Sequence, residues 1–282
     1  HVLDIGTMKC LRYLLPLHIT VKELFFHNAG MSHDTVDLLA TTLPLCMSVT
    51  KVHLDYNPLS DPTIFAKILA LNMPARIVSL RGNGLGDAGA SAVAEAIASN
   101  TWTLSLNLFD NQIGDRGGAE IFNKLRYNIM LKSLSLSKNK CGDESFVALL
   151  DTLTGFEMNE QIKAEFLEHK SQLTDLNKYI TSGRKSKAKA GAFIHPNNEE
   201  VPLLESIFTV DEVEFIKGNS FLEIINLSNN MITNKAARSA MAILDMKPDR
   251  SPELRLSAAL REMNLSRNAI NEELGARLSM AS

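Results

Sequence analysis

Residues 75–97 read ARIVSLRGNGLGDAGASAVAEAI, and residues 103–122 repeat the pattern as TLSLNLFDNQIGDRGGAEIF. In each copy, apolar residues stand at unit positions 1, 4, 6 and 11 around an asparagine at position 9, before a small-residue turn and a helical run. The alternation of Val78 and Leu80 with polar neighbours predicts a short strand with one buried face. The later run predicts an amphipathic helix. Such a unit buries both faces only when it is stacked on other units.

The asparagine at position 9 recurs along the chain. It falls on Asn57, Asn83, Asn111, Asn139, Asn230 and Asn268, and Ala29 takes its place in a weaker first copy. Successive intervals are 28, 26, 28, 28, 91 and 38 residues, so the last two contain insertions of 63 and 10 residues relative to a 28-residue unit. A side-chain amide can satisfy backbone groups at a buried turn. We therefore expect a structural asparagine ladder along seven strands.

Units of 28 residues with full helices resemble the ribonuclease-inhibitor subclass of leucine-rich repeats, over residues 19–154 and 222–282. The resemblance implies an α/β horseshoe solenoid of about seven βα repeats, with a parallel sheet on the concave side, helices outside and a charged insertion. Similar proteins include ribonuclease inhibitor, the sensor region of nucleotide-binding immune receptors, the GTPase-activating protein for Ran and components of the motile-cilium axoneme.

The chain divides into four predicted segments. Residues 1–20 are an amino-terminal cap or linker, 21–154 are repeats 1–5, 155–220 are an inserted helical and flexible segment, and 221–282 are repeats 6–7. Because the pattern resumes after the insertion, we expect the insertion to bulge from one solenoid. Inside it we expect a charged helix, a basic flexible loop from Ser182, and a short returning helix.

Acidic residues stand at the predicted starts of several helices. Asp61, Asp87 and Asp143 are each predicted to cap the helix of their own repeat, and Ser32 or Asp34 the first helix.

Composition excludes several classes of partner. The chain has 29 basic and 32 acidic residues, which gives no electrostatic case for nucleic acid or an anionic membrane. It contains no run of about 18 apolar residues. Cys10, Cys46 and Cys141 are odd in number and widely spaced, so we interpret them as reduced thiols in a cytoplasmic compartment. The sequence begins at His1, and we expect it to be part of a longer protein.

Strand residues at unit positions 3, 5, 7 and 8 are predicted to face outward on the concave side. We expect protein partners to bind there through residues of the types that anchor interfaces. These candidates are Phe25, His53, Asp55, Tyr56, Arg81, Phe109 and Asp110. The alternative is that any solenoid exposes side chains on this face, and single exposed aromatics are ordinary.

A basic run in the insertion is a second candidate contact, for an acidic surface such as a tubulin tail or for nucleic acid. It consists of Arg184, Lys185, Lys187 and Lys189. A solvated loop is the alternative, because no aromatic residues are interleaved with the charges.

No pattern indicates catalysis or a cofactor. His53 and Asp55 share a strand face, but no motif supplies a nucleophile. His27 and His33 lack the paired spacing of zinc ligands. The glycines of residues 82–89 recur at the same unit positions in the next copy, which makes them turn glycines rather than a phosphate-binding loop. We expect no catalytic residue, metal, cofactor or small-molecule substrate.

The preferred hypothesis is a non-enzymatic interaction scaffold, which the resemblance extends to a structural component of the axoneme or cytoskeleton. One alternative is a GTPase-activating regulator similar to that for Ran, although Arg81 is not a positional match to that family's arginine. Another is the recognition part of a ubiquitin-ligase receptor or immune sensor.

Overall fold

The structure is a computed structural model that describes residues 2–69, 74–185, 207–210, 213–245 and 259–271. The chain divides into two compact units. The first combines His1–Gly155 with Gly218–Ser282, and the second is Phe156–Lys217.

Seven three-residue strands form one parallel sheet within the described part of the first unit. They are β1 Glu23–Phe25, β2 Lys51–His53, β3 Ile77–Ser79, β4 Ser105–Asn107, β5 Ser133–Ser135, β9 Ile224–Asn226 and β10 Glu262–Asn264, in that spatial order. Strand β5 pairs directly with β9, with Leu134 opposite Ile225. The predicted parallel sheet of seven strands, interrupted along the chain but continuous in space, is confirmed.

Helices alternate with these strands. They are α1 Ile5–Leu14, α2 His33–Thr42, α3 Gly86–Ser99, α4 Asp115–Leu125, α5 Asp143–Thr154 and α7 Asn234–Asp245, and a 3-10 helix, Pro62–Leu69, takes this place in the second repeat. Ser32 caps α2 through a reciprocal capping box with Thr35, as expected for the first helix. The Asp61 carboxylate accepts a hydrogen bond from the Thr63 amide, which supports the predicted cap there.

The core lies between the sheet and the helices. The middle residue of each strand points into it, in register with its neighbours. In the inner strands these residues are at most 1% exposed: Val52, Val78, Leu106, Leu134 and Ile225. At the outer strands the equivalent Leu24 and Met263 are both 8% exposed, because each has a neighbouring strand on one side only. Stacking of repeats therefore supplies the burial that a single unit lacks.

The first twenty residues have the elements of a repeat's second half. Helix α1 is followed by a 3-10 turn at Leu15–Leu17, and α2 by one at Leu43–Leu45, and both turns read Leu-Pro-Leu. Met8 of α1 is fully buried in the core. The segment predicted as a cap or linker thus has the form of a repeat helix that packs on the first complete repeat.

The second unit contains α6, Glu160–Lys185, and an antiparallel sheet of β6 Phe156–Glu157, β8 Val213–Ile216 and β7 Ile207–Val210, in that order. The expected charged helix is present, with Phe166 buried. Two other expectations are corrected where the structure describes them. Residues 207–210 and 213–216 of the returning segment form strands rather than a helix, because IFTV and VEFI are rich in β-branched and aromatic residues. Helix α6 continues past Ser182 to Lys185, since one internal glycine is tolerated among good helix formers, and the rest of the expected basic loop, from residue 186, lies outside the described residues.

Across the described residues, no helix is long and apolar enough to cross a membrane.

Candidate functional site

The predicted asparagine ladder joins each repeat to the one before it. Asn111 is fully buried; its Oδ1 accepts a hydrogen bond from the Asn83 amide at 2.9 Å, and its Nδ2 donates to the Leu80 carbonyl at 2.8 Å. The other members make equivalent bonds, namely Asn57, Asn83, Asn139, Asn230 and Asn268. Where Ala29 replaces the asparagine, the Leu3 amide donates to the Ala29 backbone carbonyl instead. The ladder fixes the turn that follows every strand.

A second asparagine ladder, absent from our sequence expectations, lies where each helix returns to the next strand. Its members are Asn100, Asn128 and Asn219, all at most 5% exposed. Asn128 Nδ2 donates to the Ile97 carbonyl at 2.5 Å, and its Oδ1 accepts from the Leu131 amide at 2.7 Å. The signal was in the sequence, because these residues stand three places before unit position 1; Asn72 does too, but lies outside the described residues. The two ladders together hold both ends of β4, β5 and β9.

Acidic side chains at the helix starts cap the following repeat rather than their own. Asp87 Oδ1 accepts from the Gly114 and Gly117 amides at the start of α4, and Asp143 accepts from the Thr233 amide. In the described chain, α3 and α5 have no side-chain cap of their own. The predicted caps at Asp87 and Asp143 were therefore assigned to the wrong helices, because stacking brings each carboxylate closer to the next helix's free amides than to its own.

The amino-terminal half of the concave face carries a row of aromatic and charged side chains. The Phe25 ring stacks on His53 with centroids 4.3 Å apart, and the His27 ring meets Tyr56 edge-on at 5.1 Å. Further along, Lys138 Nζ lies 5.6 Å from the centroid of the Phe109 ring. Phe25 is 64% exposed, so the row begins at a surface open to solvent. We call these residues, with Arg81, the concave aromatic row.

Arg81 lies between two rings of this row. Its guanidinium carbon is 4.8 Å from the centroid of Phe109 and 5.9 Å from that of Tyr56. Such cation–π contacts stabilise the arginine and fix the planes of the rings beside it. The structure thus brings three sequence-predicted residues from three neighbouring repeats into one cluster.

Charged residues flanking the row form ion pairs. Glu23 Oε1 is 3.4 Å from Lys51 Nζ and 3.2 Å from His53 Nε2, and Asp110 Oδ2 is 2.8 Å from Lys138 Nζ. The hydrogen bond and charge of Asp110 raise the pKa of Lys138 above its ordinary value. Predicted site residues His53 and Asp110 are therefore held in fixed positions by their partners.

Asp55 is the candidate that the structure places differently. It is 9% exposed, and its Oδ1 accepts from the Ser79 hydroxyl at 2.6 Å and from the Arg81 amide at 3.1 Å. Both hydrogen bonds are internal to the protein. The Asp55 side chain therefore supports β3 and the residues after it, which include Arg81. The partner of His53 is Glu23, so the structure does not form the His53–Asp55 pair considered for acid–base chemistry.

The backbone at unit position 8 is left-handed in every described repeat, with φ between 46° and 64°. At Gly82 this conformation coincides with a close approach, because a Cβ there would lie 2.4 Å from the Tyr56 ring. Glycine therefore leaves the space in which Tyr56 reaches toward Arg81.

The carboxyl-terminal half of the concave face is different in chemistry. Besides Ile224 and Glu262, its outward positions carry mostly small polar residues, namely Ser133, Ser135, Ser137, Asn226, Ser228, Asn264 and Ser266. Several of them bond to one another, as in the 2.8 Å contact between the hydroxyls of Ser137 and Ser228. The concave aromatic row thus ends at β5.

A family model described as Leucine Rich repeat matches residues 76–94, 99–122 and 127–150. Residues 76–150 contain leucine-rich repeats. No curated protein matches the chain. One similar solved structure is titled Leiomodin-1 Actin-Binding Site 2 (ABS2), with 17% identity, 67% of this chain and 100% of that chain covered, and a TM-score of 0.32. A likeness at that level carries no information about function.

The matched leucine-rich repeats contain three members of the row, Arg81, Phe109 and Lys138. The basic run lies elsewhere. Arg184 and Lys185 are in the last turn of α6, whereas Lys187 and Lys189 lie outside the described residues.

Two further features singled out in the sequence, His33 and the three cysteines, show no sign of a metal or reactive site in the part of the chain that the structure describes. His33 Nε2 is 2.9 Å from the Asp61 carbonyl oxygen, and no group of metal-binding side chains occurs in the described ranges. The three cysteines are free thiols. Cys141 is buried in the core of its leucine-rich repeat, and this burial raises its pKa to about 12. A thiol in that environment is unreactive.

Proposed function

We propose that the protein is a non-enzymatic scaffold that holds protein partners on the concave side of its leucine-rich repeats, through the concave aromatic row. The observation that carries this proposal is the continuous series of contacts across five repeats, from His27 through Tyr56, Arg81 and Phe109 to Lys138, at 4.8 to 5.9 Å. Aromatic side chains and arginine dominate the energetics of protein interfaces.

The row is also pre-organised. Each strand that carries it is fixed by asparagine bonds at the following turn, and Arg81 is held by two rings. Because little side-chain freedom remains to be lost, binding at this surface has a reduced entropic cost. This supports a binding role over a merely exposed surface.

The test is capture of native partners by the wild-type chain and by a Tyr56→Ala, Phe109→Ala variant. The double variant is expected to lose partners that a matched control, Tyr13→Ala with Leu17→Ala, retains. The control residues are 76% and 74% exposed, so the control variant removes comparable apolar surface outside the row.

A separate deletion of residues 181–200 tests the basic run. Retention of every partner by the double variant combined with this deletion would refute the proposal.

For the cellular setting we propose the cytoplasm, within an axonemal or cytoskeletal assembly of the motile cilium. The resemblance to axonemal leucine-rich-repeat proteins that are interrupted by insertions supports this setting. Crosslinking mass spectrometry on ciliated tissue tests it, with crosslinks from Lys51, Lys138 or the basic run to axonemal proteins expected. Crosslinks mainly to a small GTPase or a ligase subunit would favour a regulator or a recognition subunit instead.

A further inference from the structure

We propose that the partner presents an acidic side chain, aspartate or glutamate, to the guanidinium of Arg81, between the rings of Tyr56 and Phe109. The inference rests on the proposed function and names the chemistry of the partner at the same surface.

The charge inventory of the row is the first step. Lys51 is paired with Glu23, and Lys138 with Asp110, at 3.4 and 2.8 Å. Arg81, in contrast, forms no ion pair with any residue that the structure describes, and its contacts are the two rings. One positive charge on the row therefore lacks a counter-charge.

Asp55 does not supply that counter-charge. Its Oδ1 is occupied by the Ser79 hydroxyl and by the backbone amide of Arg81, not by the guanidinium. The Arg81 Nε is buried and has no hydrogen-bond partner among the described residues. The guanidinium thus has no internal acceptor at Nε in the described chain, and a ligand that accepts from its Nη donors forms a charge-assisted hydrogen bond.

The geometry around Arg81 favours a carboxylate. A guanidinium presents parallel N–H donors that match the two oxygens of a carboxylate, and such charge-assisted bonds are about twice as strong as neutral ones. The flanking rings of Tyr56 and Phe109 supply apolar surface for the residues on either side of that carboxylate. The fitting partner is therefore a protein segment with one acidic residue among apolar ones.

The probe is a phage-displayed library of random peptides selected on the wild-type chain, followed by fluorescence polarisation with the selected peptides. We expect an aspartate or glutamate at a fixed position. Arg81→Gln is expected to weaken binding about tenfold, and Arg81→Lys by less, because an ammonium keeps the charge but not the paired donors. Arg116→Gln, which removes an 81% exposed arginine on α4, is the matched control and should bind as wild type.

A double-mutant cycle completes the test. Changing the acidic residue of the peptide to its amide should cost affinity in the wild type and little in Arg81→Gln. Peptides that require Tyr56 and Phe109 but tolerate Arg81→Gln would overturn this inference and leave the scaffold proposal intact. Absence of any peptide that depends on the concave row would count against both. Arg81-dependent binding of a short single-stranded oligonucleotide, in the absence of any selected acidic peptide, would assign Arg81 to phosphate and also overturn the inference.

Discussion

At the scale of single residues, one asparagine side chain per repeat forms hydrogen bonds with several buried backbone groups. Asn111 accepts from the Asn83 amide and donates to the Leu80 and Phe109 carbonyls, all in the buried turn region. A side chain without an amide leaves these groups unpaired and out of reach of water. The position is therefore restricted to asparagine in six of the seven repeats.

Asn111→Ala should lower the free energy of unfolding by about 1–3 kcal/mol, because buried backbone groups lose their partners. Urea denaturation followed by circular dichroism measures the effect. Asn123→Ala, at an exposed position on α4, is the control and should change stability by less than about 0.5 kcal/mol. Equal effects of the two substitutions would contradict the structural role of the ladder.

A comparison of Gly82 with Gly86 separates the cost of a left-handed backbone from the cost of a steric clash. Both have left-handed backbones, at 64° and 54°, but only Gly82 faces a neighbour, the Tyr56 ring. Alanine at either site should cost about 1 kcal/mol of stability through the backbone. Gly82→Ala should cost more than Gly86→Ala, and should shift the NMR resonances of the Tyr56 ring. Equal stability losses with unchanged Tyr56 resonances would show that the close approach is unimportant.

At the scale of elements, helices are capped across the boundary between repeats. Asp115 in the first turn of α4 accepts from the Gly142, Glu144 and Ser145 amides, at 2.7 to 3.1 Å, at the start of α5. A carboxylate there satisfies free amides and opposes the positive end of the helix dipole. Helices α4, α5 and α7 therefore depend on the preceding helix for the capping of their starts.

This cap should make stability depend on pH. Burial raises the pKa of Asp115, but the hydrogen bonds from Ser145, Glu144 and Gly142 outweigh it, and the net pKa lies below the ordinary value. Because the folded-state pKa is the lower one, the stabilisation is present above the unfolded pKa and is lost as the pH falls through the folded value.

Asp115→Asn is expected to lose about 1 kcal/mol at pH 7, and this difference from wild type should shrink as the pH falls below about 4. Urea denaturation at several pH values measures it. Asp175→Asn, at a side chain 69% exposed on α6, should show no comparable difference at any pH. A wild-type advantage that grows on acidification would contradict the assignment.

At the scale of the whole molecule, the solenoid is continuous across a long insertion. Strand β5 pairs with β9, and the second ladder bridges the same gap through Asn219 and the Asn128 carbonyl. The ends of the insertion are adjacent, because the Gly155 nitrogen lies 2.8 Å from where a Cβ on Gly218 would be.

Deletion of residues 156–217, with Gly155 joined to Gly218, should leave the first unit folded. We expect one cooperative thermal transition within about 5 °C of that of the corresponding transition in the full chain, since the paired strands and both ladders remain. Differential scanning calorimetry measures it. A deletion of equal length within residues 75–136, which removes complete repeats, is the control and should lower the transition substantially. Loss of cooperative unfolding in the first deletion would show that the insertion is part of the fold.

Much of the fold follows from local chemistry in the sequence. The period-two strands, the asparagine at position 9 and the intervals between copies determined seven strands and most of the residues that face outward, although Asp55 is buried. They also placed Tyr56, Arg81 and Phe109 on one surface, because register along a parallel sheet preserves unit position. The strands of the second unit, in contrast, follow no repeat and were assigned wrongly.

The stacked structure alone decided how neighbouring repeats share their side chains. Asp87 and Asp143 cap helices of the next repeat. Asp55 is buried and bonds to Ser79 and to the Arg81 amide. Arg81 in turn lies between rings from the two neighbouring repeats. Within one repeat, the sequence pattern predicts whether a residue lies on the buried or the outward face of its strand. The partners of these polar and aromatic side chains lie 24 to 30 residues away, or 90 residues away across the insertion, and the distance between partners in space is set by how closely the repeats stack.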